Sequence, residues 1–532
     1  MSGTIRVRPW IAALCVGTAM VAAAPLAALE PTPSYRAALA EAVGDSPALR
    51  AFYEARNHAP LWTAPDAAEL RRAFLAALAQ APAHGLPASR YDLAGINAAL
   101  AAMQSDRDLG ALEVRMSRAY LQWARDISSG VLTPSDIDSG IVREIRRPDP
   151  QALLQGLERD PLTFLRSLAP QSTEYSALLH EKLRLEHHVM GHGWGAPVPQ
   201  DATLRPGDSG GAVIALRDRL MAMGYLPRSA SPIYDAALTD AVIAFQAAHG
   251  LAEDGVAGPA TLSQVNQSPE ERLQSVIVAM ERERWLGDRG ARHVWVNIAD
   301  FTTQIVENGR VTFSTRSVVG RDVAVQRTPE FSDTMTYMVI NPSWSIPRSI
   351  IGREYLPALQ ANPHSVAHLQ VVDSQGRVVP RDAVDWRQFT PRNFPFHMRQ
   401  APGPENALGS VKFMFPNKYA IYLHDTPQKS LFGRDLRAFS NGCIRLADPH
   451  AFAFALLEGQ EADPQGFFQR ILSTGRETNV TLQRPITIHL DYRTAFANPR
   501  GEVVYRRDVY GRDARIFEAL TGAGVVLGGV QG

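Results

Sequence analysis

The residues best suited to covalent chemistry lie in the last quarter of the chain. The segment AFSNGCIRL, residues 438–446, contains Cys443, and the only other cysteine is Cys15. His424 precedes Cys443 by a short spacer, in the segment KYAIYLHDTP. A thiol becomes a nucleophile at neutral pH when a base or a cation lies beside it. We therefore predict that Cys443 is a nucleophile and that His424 accepts its proton.

The residues around this pair would support it. Alternation in KYAIYLH places Tyr422 and His424 on the same face of a predicted strand. Gly442 makes a turn at the thiol, and a helix is predicted to begin soon afterwards, at Asp448. Backbone N–H groups at such a turn and helix start would favour a thiolate of lowered pKa and hold an oxyanion. Arg445 would lower the thiol pKa further or bind a substrate carboxylate.

The start of the chain predicts export. Arg6 and Arg8 precede an uncharged apolar run that ends in small residues, which is typical of a secretory signal peptide, residues 1–28. An uncleaved membrane anchor is the alternative, because the run nearly reaches the length of a bilayer span. After cleavage Cys443 would have no partner for an intramolecular disulfide. Such a thiol is either a buried structural residue beside a core histidine or a reactive group, and we predict the latter.

The remaining pattern predicts a multidomain α+β protein. Apolar residues at helical spacing indicate a helical scaffold domain over 34–195, and a compact three-helix unit follows over 204–266. From 290 to 500 the period changes to that of β-strands, with an insertion at about 345–400 that we interpret as a lid. Residues 501–532 form a C-terminal extension. Lys+Arg and Asp+Glu both total 54, so the charge gives no sign of a nucleic-acid partner.

Two groups of histidines could be considered as metal ligands, but their spacing does not favour a metal site. The first group lacks the HExxH pattern and indicates a solvated helix end: His180, His187, His188 and His192. His364 and His368 lie one helical turn apart in the predicted lid, without a nearby carboxylate pattern. We therefore predict neither a metal site nor an organic cofactor.

Two segments resemble known families. YLHDTPQKSLFGRDLRAFSNGCIRL resembles the catalytic signature of the L,D-transpeptidases, the YkuD-type domain. AVIAFQAAHGLAEDGVAGPAT, inside 204–266, resembles the peptidoglycan-binding domain 1 family. Joined to a helical scaffold, they are similar to the large YcbB-like periplasmic enzymes of Gram-negative bacteria. The resemblance covers nearly all of the chain after the signal peptide and implies a periplasmic location, with membrane tethering if the signal stays uncleaved.

The resemblance implies a reaction and a role for each residue of the motif. The thiolate would attack the carbonyl after the third residue of a stem tetrapeptide, D-Ala would leave, and the amine of a neighbouring stem would resolve the thioester into a 3→3 crosslink. The implied catalytic residues are Cys443 as nucleophile, His424 as base, Asp425 through its carbonyl, and Gly442 and Tyr422 as part of an oxyanion hole with the Cys443 amide. The implied substrate-binding or supporting residues are Arg445, Ser440 and Asn441.

The sequence leaves the acceptor open. Many members of the family have histidine directly before Gly-Cys, and Asn441 in its place leaves His424 as the only base. Water as acceptor would make an L,D-carboxypeptidase, and a protein lysine would make an anchoring transpeptidase. A non-catalytic wall-binding scaffold is the alternative of another class. The predicted partners are peptidoglycan stem peptides, glycan strands and other wall-synthesis proteins.

Overall fold

The computed structural model describes residues 31–191, 193–201 and 203–527. The predicted signal peptide, residues 1–28, and His192 lie outside these residues. Among the described residues, no helix has the length and apolar character needed to cross a membrane.

The N-terminal region is a bundle of helices built around α5. Ser105 caps α5: its hydroxyl accepts from the Asp108 amide, and the Asp108 carboxylate accepts from the Ser105 amide. Trp62, Phe74 and Tyr120 pack together at the centre of the bundle. The helices are α1 (Pro33–Val43), α2 (Pro47–Ala55), α3 (Ala68–Ala79), α4 (Leu93–Ala102), α5 (Asp106–Ser129), α6 (Pro134–Ile137), α7 (Pro150–Arg159), α8 (Pro161–Ser167) and α9 (Thr173–Met190).

A small helical unit follows the bundle. Its core contains the two apolar stripes expected from the sequence, one on each of its longer helices: Val213, Leu216 and Leu220, and Leu238, Val242 and Phe245. Its helices are α10 (Gly211–Met223), α11 (Ala236–Ala248) and α12 (Pro259–Val265). The next helix, α13 (Pro269–Leu286), leads into the β region, but its apolar face packs in the core of the N-terminal bundle.

The C-terminal half is built on strands. In chain order these are β1 (Arg292–Asn297), β2 (Thr302–Glu307), β3 (Arg310–Gly320), β4 (Phe331–Ile340), β5 (Trp344–Ser345), β6 (Gln370–Val372), β7 (His397–Gln400), β8 (Val411–Met414), β9 (Leu423–His424), β10 (Ala438–Ser440), β11 (Ile444–Leu446), β12 (Thr478–Asp491), β13 (Ala495–Ala497) and β14 (Val503–Tyr505). The helices are α14 (Arg348–Ile350), α15 (Leu356–Ala361), α16 (Pro449–Leu457), α17 (Pro464–Leu472) and α18 (Arg512–Gly522).

The main sheet is mixed and closes on itself. Its strand order is β10-β3-β11-β9-β8-β4-β12-β1-β2, and β2 also pairs with β3. Inward side chains of this sheet form one apolar core with α16 and α17. A helical bundle, a small helical unit and a mostly β region together confirm the predicted multidomain α+β fold.

The strand predicted across KYAIYLH is wrong in extent. Only Leu423 and His424 are in a strand, because Ala420 has a left-handed backbone with φ of 55°. The Asn417 side chain holds this turn: its oxygen accepts from the amides of Tyr419 and Ile421 at 3.0 and 3.2 Å. A residue of positive φ cannot continue the pleat, so alternation does not apply before residue 423.

The insertion after β5 also differs from the prediction, which assigned it no strands. β5, β7 and β6 form a separate small sheet in that order. A π-helical turn, Ile351–Tyr355, joins α14 to α15. The segment has its own apolar core around Trp386, Leu359 and Phe394. It is therefore a folded subdomain; its predicted role as a lid stays a prediction.

Buried ion pairs join the C-terminal helix to the other parts of the chain. Glu330, at the edge of β4, accepts from Arg282 of α13 at 2.6 Å and from Arg512 of α18 at 3.1 Å. Asp138, just after α6, accepts from Arg515 at 2.6 Å. All but Arg515 among these charged groups are buried or nearly so. Because a buried charge without a partner is costly, these elements have to assemble together.

Buried histidines predict that the fold weakens in mild acid. Burial lowers the pKa of His424 to about 3 and of His489 to about 4, and holds the pKa of His249 well below its usual value. The unfolded chain takes up these protons as pH falls below about 6.5 while the folded chain does not, so the free energy of unfolding falls with pH. We expect a loss of up to about 1.4 kcal/mol per pH unit for each histidine.

Urea unfolding at a series of pH values between about 7 and 5 measures this slope. His489→Gln should reduce it, whereas His368→Gln, at an exposed position, should leave it unchanged. Equal slopes in the wild-type protein and in His489→Gln would contradict the assignment.

Candidate active site

A cleft of about 1020 Å³ lies where three parts of the chain meet. One wall comes from residues 137–142 after α6, a second from residues 344–355 of the inserted subdomain, and the floor from the loops around β9 and β11. Cys443 and His424 both line this cleft. The structure therefore brings the two residues predicted for chemistry into one cavity.

Neighbouring strands set the positions of these two residues. β9 and β11 pair in parallel, with Leu423 opposite Ile444 and His424 opposite Arg445. The Ile444 amide donates to the Tyr422 carbonyl at 3.1 Å. Cys443 immediately precedes β11 and so lies beside the end of β9. Residues far apart in sequence become neighbours through this strand pairing.

The His424 ring is buried and held through Nδ1, which hydrogen-bonds the Asp425 carbonyl oxygen. That contact makes Nδ1 the donor and leaves Nε2 as an acceptor. Burial, and next the positive charge of Arg445, lower the pKa of His424 to about 3. The Asp425 carboxylate is itself fixed by the Ser410 amide and hydroxyl, at 2.9 and 2.8 Å, and by Lys429 at 2.6 Å. The site thus holds a neutral imidazole in one orientation.

The Cys443 thiol is also neutral at rest, which corrects the expectation of a lowered pKa. Desolvation raises its pKa to about 11, although hydrogen bonds from Tyr422 and the charge of Arg445 act in the opposite direction. The expected help from a helix start is missing, because β11 lies between Cys443 and α16. The thiol contacts the Ala420 carbonyl oxygen at 3.6 Å, and within the described residues no hydrogen bond joins it to His424.

Ser440 closes the turn before Cys443. Its hydroxyl accepts from the Gly442 amide at 3.0 Å and donates to the Cys443 carbonyl at 2.6 Å. Gly442 has a φ of 123°, a backbone conformation that favours glycine. Its N–H, expected in an oxyanion hole, already has a partner. The Tyr422 hydroxyl lies beside the sulfur and acts to lower the thiol pKa.

Thr328 stabilises the same turn through its side chain. It was assigned no role from the sequence. Its hydroxyl donates to the Gly442 carbonyl at 2.8 Å and accepts from the Gly320 amide at 2.9 Å. Its own carbonyl accepts from Arg512 at 3.1 Å. Thr328 lies in the segment RTPEF, and nothing in that segment alone predicts its contact with Gly442.

Asn441 connects the turn to the inserted subdomain instead of pointing freely toward a substrate. Its side-chain oxygen accepts from Arg353 at 3.0 Å and from Gln326, and its amide group donates to Glu354 at 3.2 Å. Arg353 and Glu354 lie in the π-helical turn of the subdomain. Sequence reasoning missed these partners because they are about ninety positions away in the chain.

The cleft is strongly cationic although the whole chain is neutral. Among the described residues that line it, arginines outnumber carboxylates by seven to two. The arginines are Arg321, Arg327, Arg353, Arg434, Arg445, Arg512 and Arg515, and the carboxylates are Asp138 and Glu354. Arg445 donates to Gln428 at 2.7 Å and has no carboxylate partner among the described residues. Such a cleft suits an anionic ligand.

The histidine groups set aside in the sequence remain apart from this cleft. His364 pairs with Asp382 at 2.8 Å on the exposed surface of the subdomain. In the part of the chain that the structure describes, no cluster of histidine, cysteine, aspartate or glutamate has an arrangement that could hold a metal ion.

The resting state of Cys443 predicts an unusual alkylation profile. Because burial raises the thiol pKa to about 11, the reactive thiolate is scarce at pH 7 and increases tenfold per pH unit up to that value. The rate of iodoacetamide modification, followed by intact mass, should therefore keep rising above about pH 9, where an ordinary thiol levels off. Tyr422→Phe removes a hydrogen bond to the sulfur and should lower the rate further. A plateau below about pH 8 would contradict the assignment.

Three segments of the chain match known families. Residues 291–462 match the family described as "L,D-transpeptidase catalytic domain", residues 47–181 match "Scaffold domain", and residues 209–265 match "Putative peptidoglycan binding domain". A Haemophilus influenzae protein named "Putative L,D-transpeptidase" is 32% identical over 225 residues. That match covers 42% of this chain and 45% of the relative, so it spans less than half of the relative's length.

A crystal structure of an L,D-transpeptidase, residues 123–326, from Xylanimonas cellulosilytica is also similar, at 16% identity. It covers 56% of this chain and all of that chain with a TM-score of 0.18, too low to support an argument. The assignment rests on the family matches, whose catalytic segment contains His424 and Cys443. Residues 291–462 therefore belong to the L,D-transpeptidase catalytic domain family, in a chain that also carries a scaffold domain and a peptidoglycan-binding domain.

Proposed function

We propose that the protein is a cysteine-dependent L,D-transpeptidase that forms 3→3 crosslinks in peptidoglycan. The observation that carries the proposal is the placement of the Cys443 thiol beside the Tyr422 hydroxyl and the end of β9, in a cation-rich cleft. Peptidoglycan stems end in carboxylates, and a cleft with more arginines than carboxylates attracts them. The location proposed is outside the cytoplasm, where this polymer is found.

Acylation would begin with attack of the Cys443 sulfur on the carbonyl carbon after the third residue of the donor stem. The thiol proton passes to Nε2 of His424, because Nδ1 is held by the Asp425 carbonyl. The Cys443 amide and the Tyr422 hydroxyl donate to the oxyanion of the tetrahedral intermediate. His424 then returns the proton to the nitrogen of D-Ala, the C–N bond breaks, and a thioester remains on Cys443.

Proton transfer in this site should accompany the attack instead of preceding it. A thiol with a pKa of about 11 and an imidazole with a pKa of about 3 do not form an ion pair in the resting cleft. As negative charge moves from sulfur to the carbonyl oxygen, the thiol proton becomes acidic and the neutral imidazole can take it. In the free site both Cys443 and His424 are therefore uncharged. The imidazolium forms only when the sulfur attacks the substrate carbonyl.

The second half-reaction is the reverse of the first with a different nucleophile. The amine of a neighbouring stem attacks the thioester carbon and His424 accepts its proton. The C–S bond then breaks, and the released Cys443 thiolate takes a proton from the imidazolium. Water in place of the amine gives an L,D-carboxypeptidase, and a protein lysine gives an anchoring reaction. The three acceptors share one acyl-enzyme and differ only in the product.

The small helical unit would hold the enzyme on the wall. Its family match and the absence of a cysteine in residues 209–265 favour binding over chemistry. It packs against the rest of the chain through Arg506, which donates to the Ala248 carbonyl at 3.1 Å, and through His249, which stacks on Tyr505 at 5.6 Å. Binding there would raise the local concentration of stems at the cleft.

Incubation of the purified protein with a disaccharide-tetrapeptide tests the proposal. Mass spectrometry should show a thioester adduct on Cys443 and a crosslinked dimer that has lost one D-Ala. Cys443→Ala should abolish both, and His424→Ala should slow dimer formation by roughly 10² to 10⁴. Tripeptide alone would indicate a carboxypeptidase. An unmodified tetrapeptide with no adduct would contradict any acyl-transfer function.

Thr328 should act as a positioning residue for the nucleophile. Thr328→Val keeps the shape of the side chain but removes its hydrogen bond to the Gly442 carbonyl, so the turn that presents the Cys443 amide loosens. We expect kcat to fall by about 10-fold or more with little change in KM, since the contact supports the oxyanion donors. Thr328→Ser retains the hydroxyl and should restore most of the rate. Equal losses in the two variants would show that only packing matters.

A further inference from the structure

Three arginines of the cleft have no carboxylate partner among the described residues: Arg321, Arg434 and Arg445. The other four do have one: Arg327 pairs with Asp322, Arg353 with Glu354, and Arg512 and Arg515 with Asp138. The two carboxylates of the cleft are thus already engaged, and the excess positive charge is concentrated on three side chains. Guanidinium groups in a cleft that have no carboxylate partner are placed to bind an anion.

Two of these arginines lie beside the segment that contains Cys443, on or next to the paired strands β3 and β11. Arg321 follows the last residue of β3, and its amide donates to the Ser440 carbonyl at 3.0 Å. Its Nε donates to the Phe439 carbonyl at 3.0 Å, which fixes the side chain along β10. Arg445 is on β11, opposite Val318 of β3. The two guanidinium groups are close enough for Arg321 to depress the pKa of Arg445.

Arg445 is incompletely satisfied. Its Nη1 donates to Gln428 at 2.7 Å, but its Nε is buried and has no hydrogen-bond partner. Arg434 differs, because its guanidinium lies over the Phe439 ring at 5.2 Å and it follows the 3₁₀ turn Lys429–Gly433. Arg445 is two residues from Cys443, and Arg321 bonds to the Phe439 and Ser440 carbonyls just before it, whereas Arg434 is a third charge on another segment.

The proposed reaction places a carboxylate beside this pair. When the scissile bond joins the third residue to a terminal D-Ala, the free carboxylate is only about 4 Å from the carbonyl carbon that the sulfur attacks. A carboxylate held at that distance from Cys443 must lie against a wall of the cleft next to the nucleophile. Charge-assisted hydrogen bonds from arginine are the strongest contacts available to it.

We propose that Arg321, together with Arg445, binds the terminal carboxylate of the donor stem, so that the enzyme selects donors with one residue beyond the scissile bond. This inference rests on the proposed function. Arg321 is the new element, because the motif itself contains only Arg445. A longer stem or an amidated terminus would leave two cations of the cleft without their anion, which disfavours both donors.

Binding of this carboxylate would also influence chemistry. Arg445 is the charged group that most depresses the pKa of His424, with Lys412 adding to it and the Asp425 charge opposing it. A carboxylate on Arg445 offsets the positive charge near the imidazole and makes His424 a better base while the donor is bound. The terminal carboxylate should therefore affect the acylation rate as well as affinity.

Two donors that differ by one charge test the proposal. A disaccharide-tetrapeptide with a free terminal carboxylate is compared with its C-terminal carboxamide, and thioester formation on Cys443 is timed by intact mass. The wild-type protein should acylate roughly 10- to 100-fold faster with the free acid, the range expected for a charge-assisted contact. Arg321→Gln should reduce that preference to a few-fold, chiefly by slowing the free acid, and Arg321→Lys should restore part of it.

Arg310→Gln is the matched control, since it removes the same charge from the exposed far end of β3. It should keep the wild-type preference. An equal rate for the two donors in the wild-type protein would overturn the inference while leaving the proposed function intact. Loss of the preference in Arg434→Gln but not in Arg321→Gln would also overturn it. Acylation by neither donor would overturn the proposed function itself.

Discussion

The geometry of the cleft depends most on the hydrogen bonds that the buried guanidinium of Arg512 donates. It is 1% exposed, lies 5.5 and 5.1 Å from the ring centres of Tyr492 and Tyr510, and donates to both Glu330 and the Thr328 carbonyl. Thr328 in turn bonds the Gly442 carbonyl, one residue before the nucleophile. A residue near the end of the chain thus fixes the turn that presents the thiol. Burying a charge is favourable only when its partners are all in place, so this arrangement is specific to one packing.

Contacts around Glu330 also join the scaffold domain to the catalytic domain. The Val142 amide donates to the Glu330 carbonyl at 2.8 Å, and the Glu330 amide donates to the Gly140 carbonyl at 2.7 Å. The scaffold therefore adds a short backbone bridge to β4 and forms one wall of the cleft. α13 begins after the small helical unit, packs in the scaffold core and supplies Arg282 to Glu330. Loss of the scaffold would remove part of the cleft as well as a support.

The electrostatics of the cleft keep the Cys443 thiol protonated at rest. The thiolate is the form of cysteine that oxidises, and burial raises the pKa of Cys443 to about 11, so little thiolate is present at neutral pH. The low pKa of His424 has the same consequence, because no imidazolium is present to stabilise the thiolate. The resting thiol is consequently expected to react slowly with small oxidants.

Local pattern was enough to predict some parts of the structure. Helical periodicity, strand alternation and the Cys443 motif predicted the fold class, the three-helix unit and the two residues that meet in the cleft, because each signal lies within a short stretch of chain. Local pattern failed where a distant partner overrides it. Ala420 interrupts a strand that alternation favoured, because the Asn417 side chain holds the backbone in a turn. The predicted thiolate was wrong because β11 separates Cys443 from α16 and burial dominates its pKa.

The surroundings of Cys443 depend on the packing of distant segments. Thr328 and Arg353 contact the 441–443 turn from a loop and from the inserted subdomain, and Arg512 of the C-terminal helix holds Thr328. No spacing in the sequence brings these residues together. The excess of arginines over carboxylates in the cleft could not be predicted either. The whole chain has equal numbers of acidic and basic residues, and these totals do not show which of them line the cleft. The local sequence predicts each helix or strand, but contacts between distant elements form only when these elements pack. His424 and Cys443 can therefore be found in the sequence, whereas the residues around them are known only from the fold.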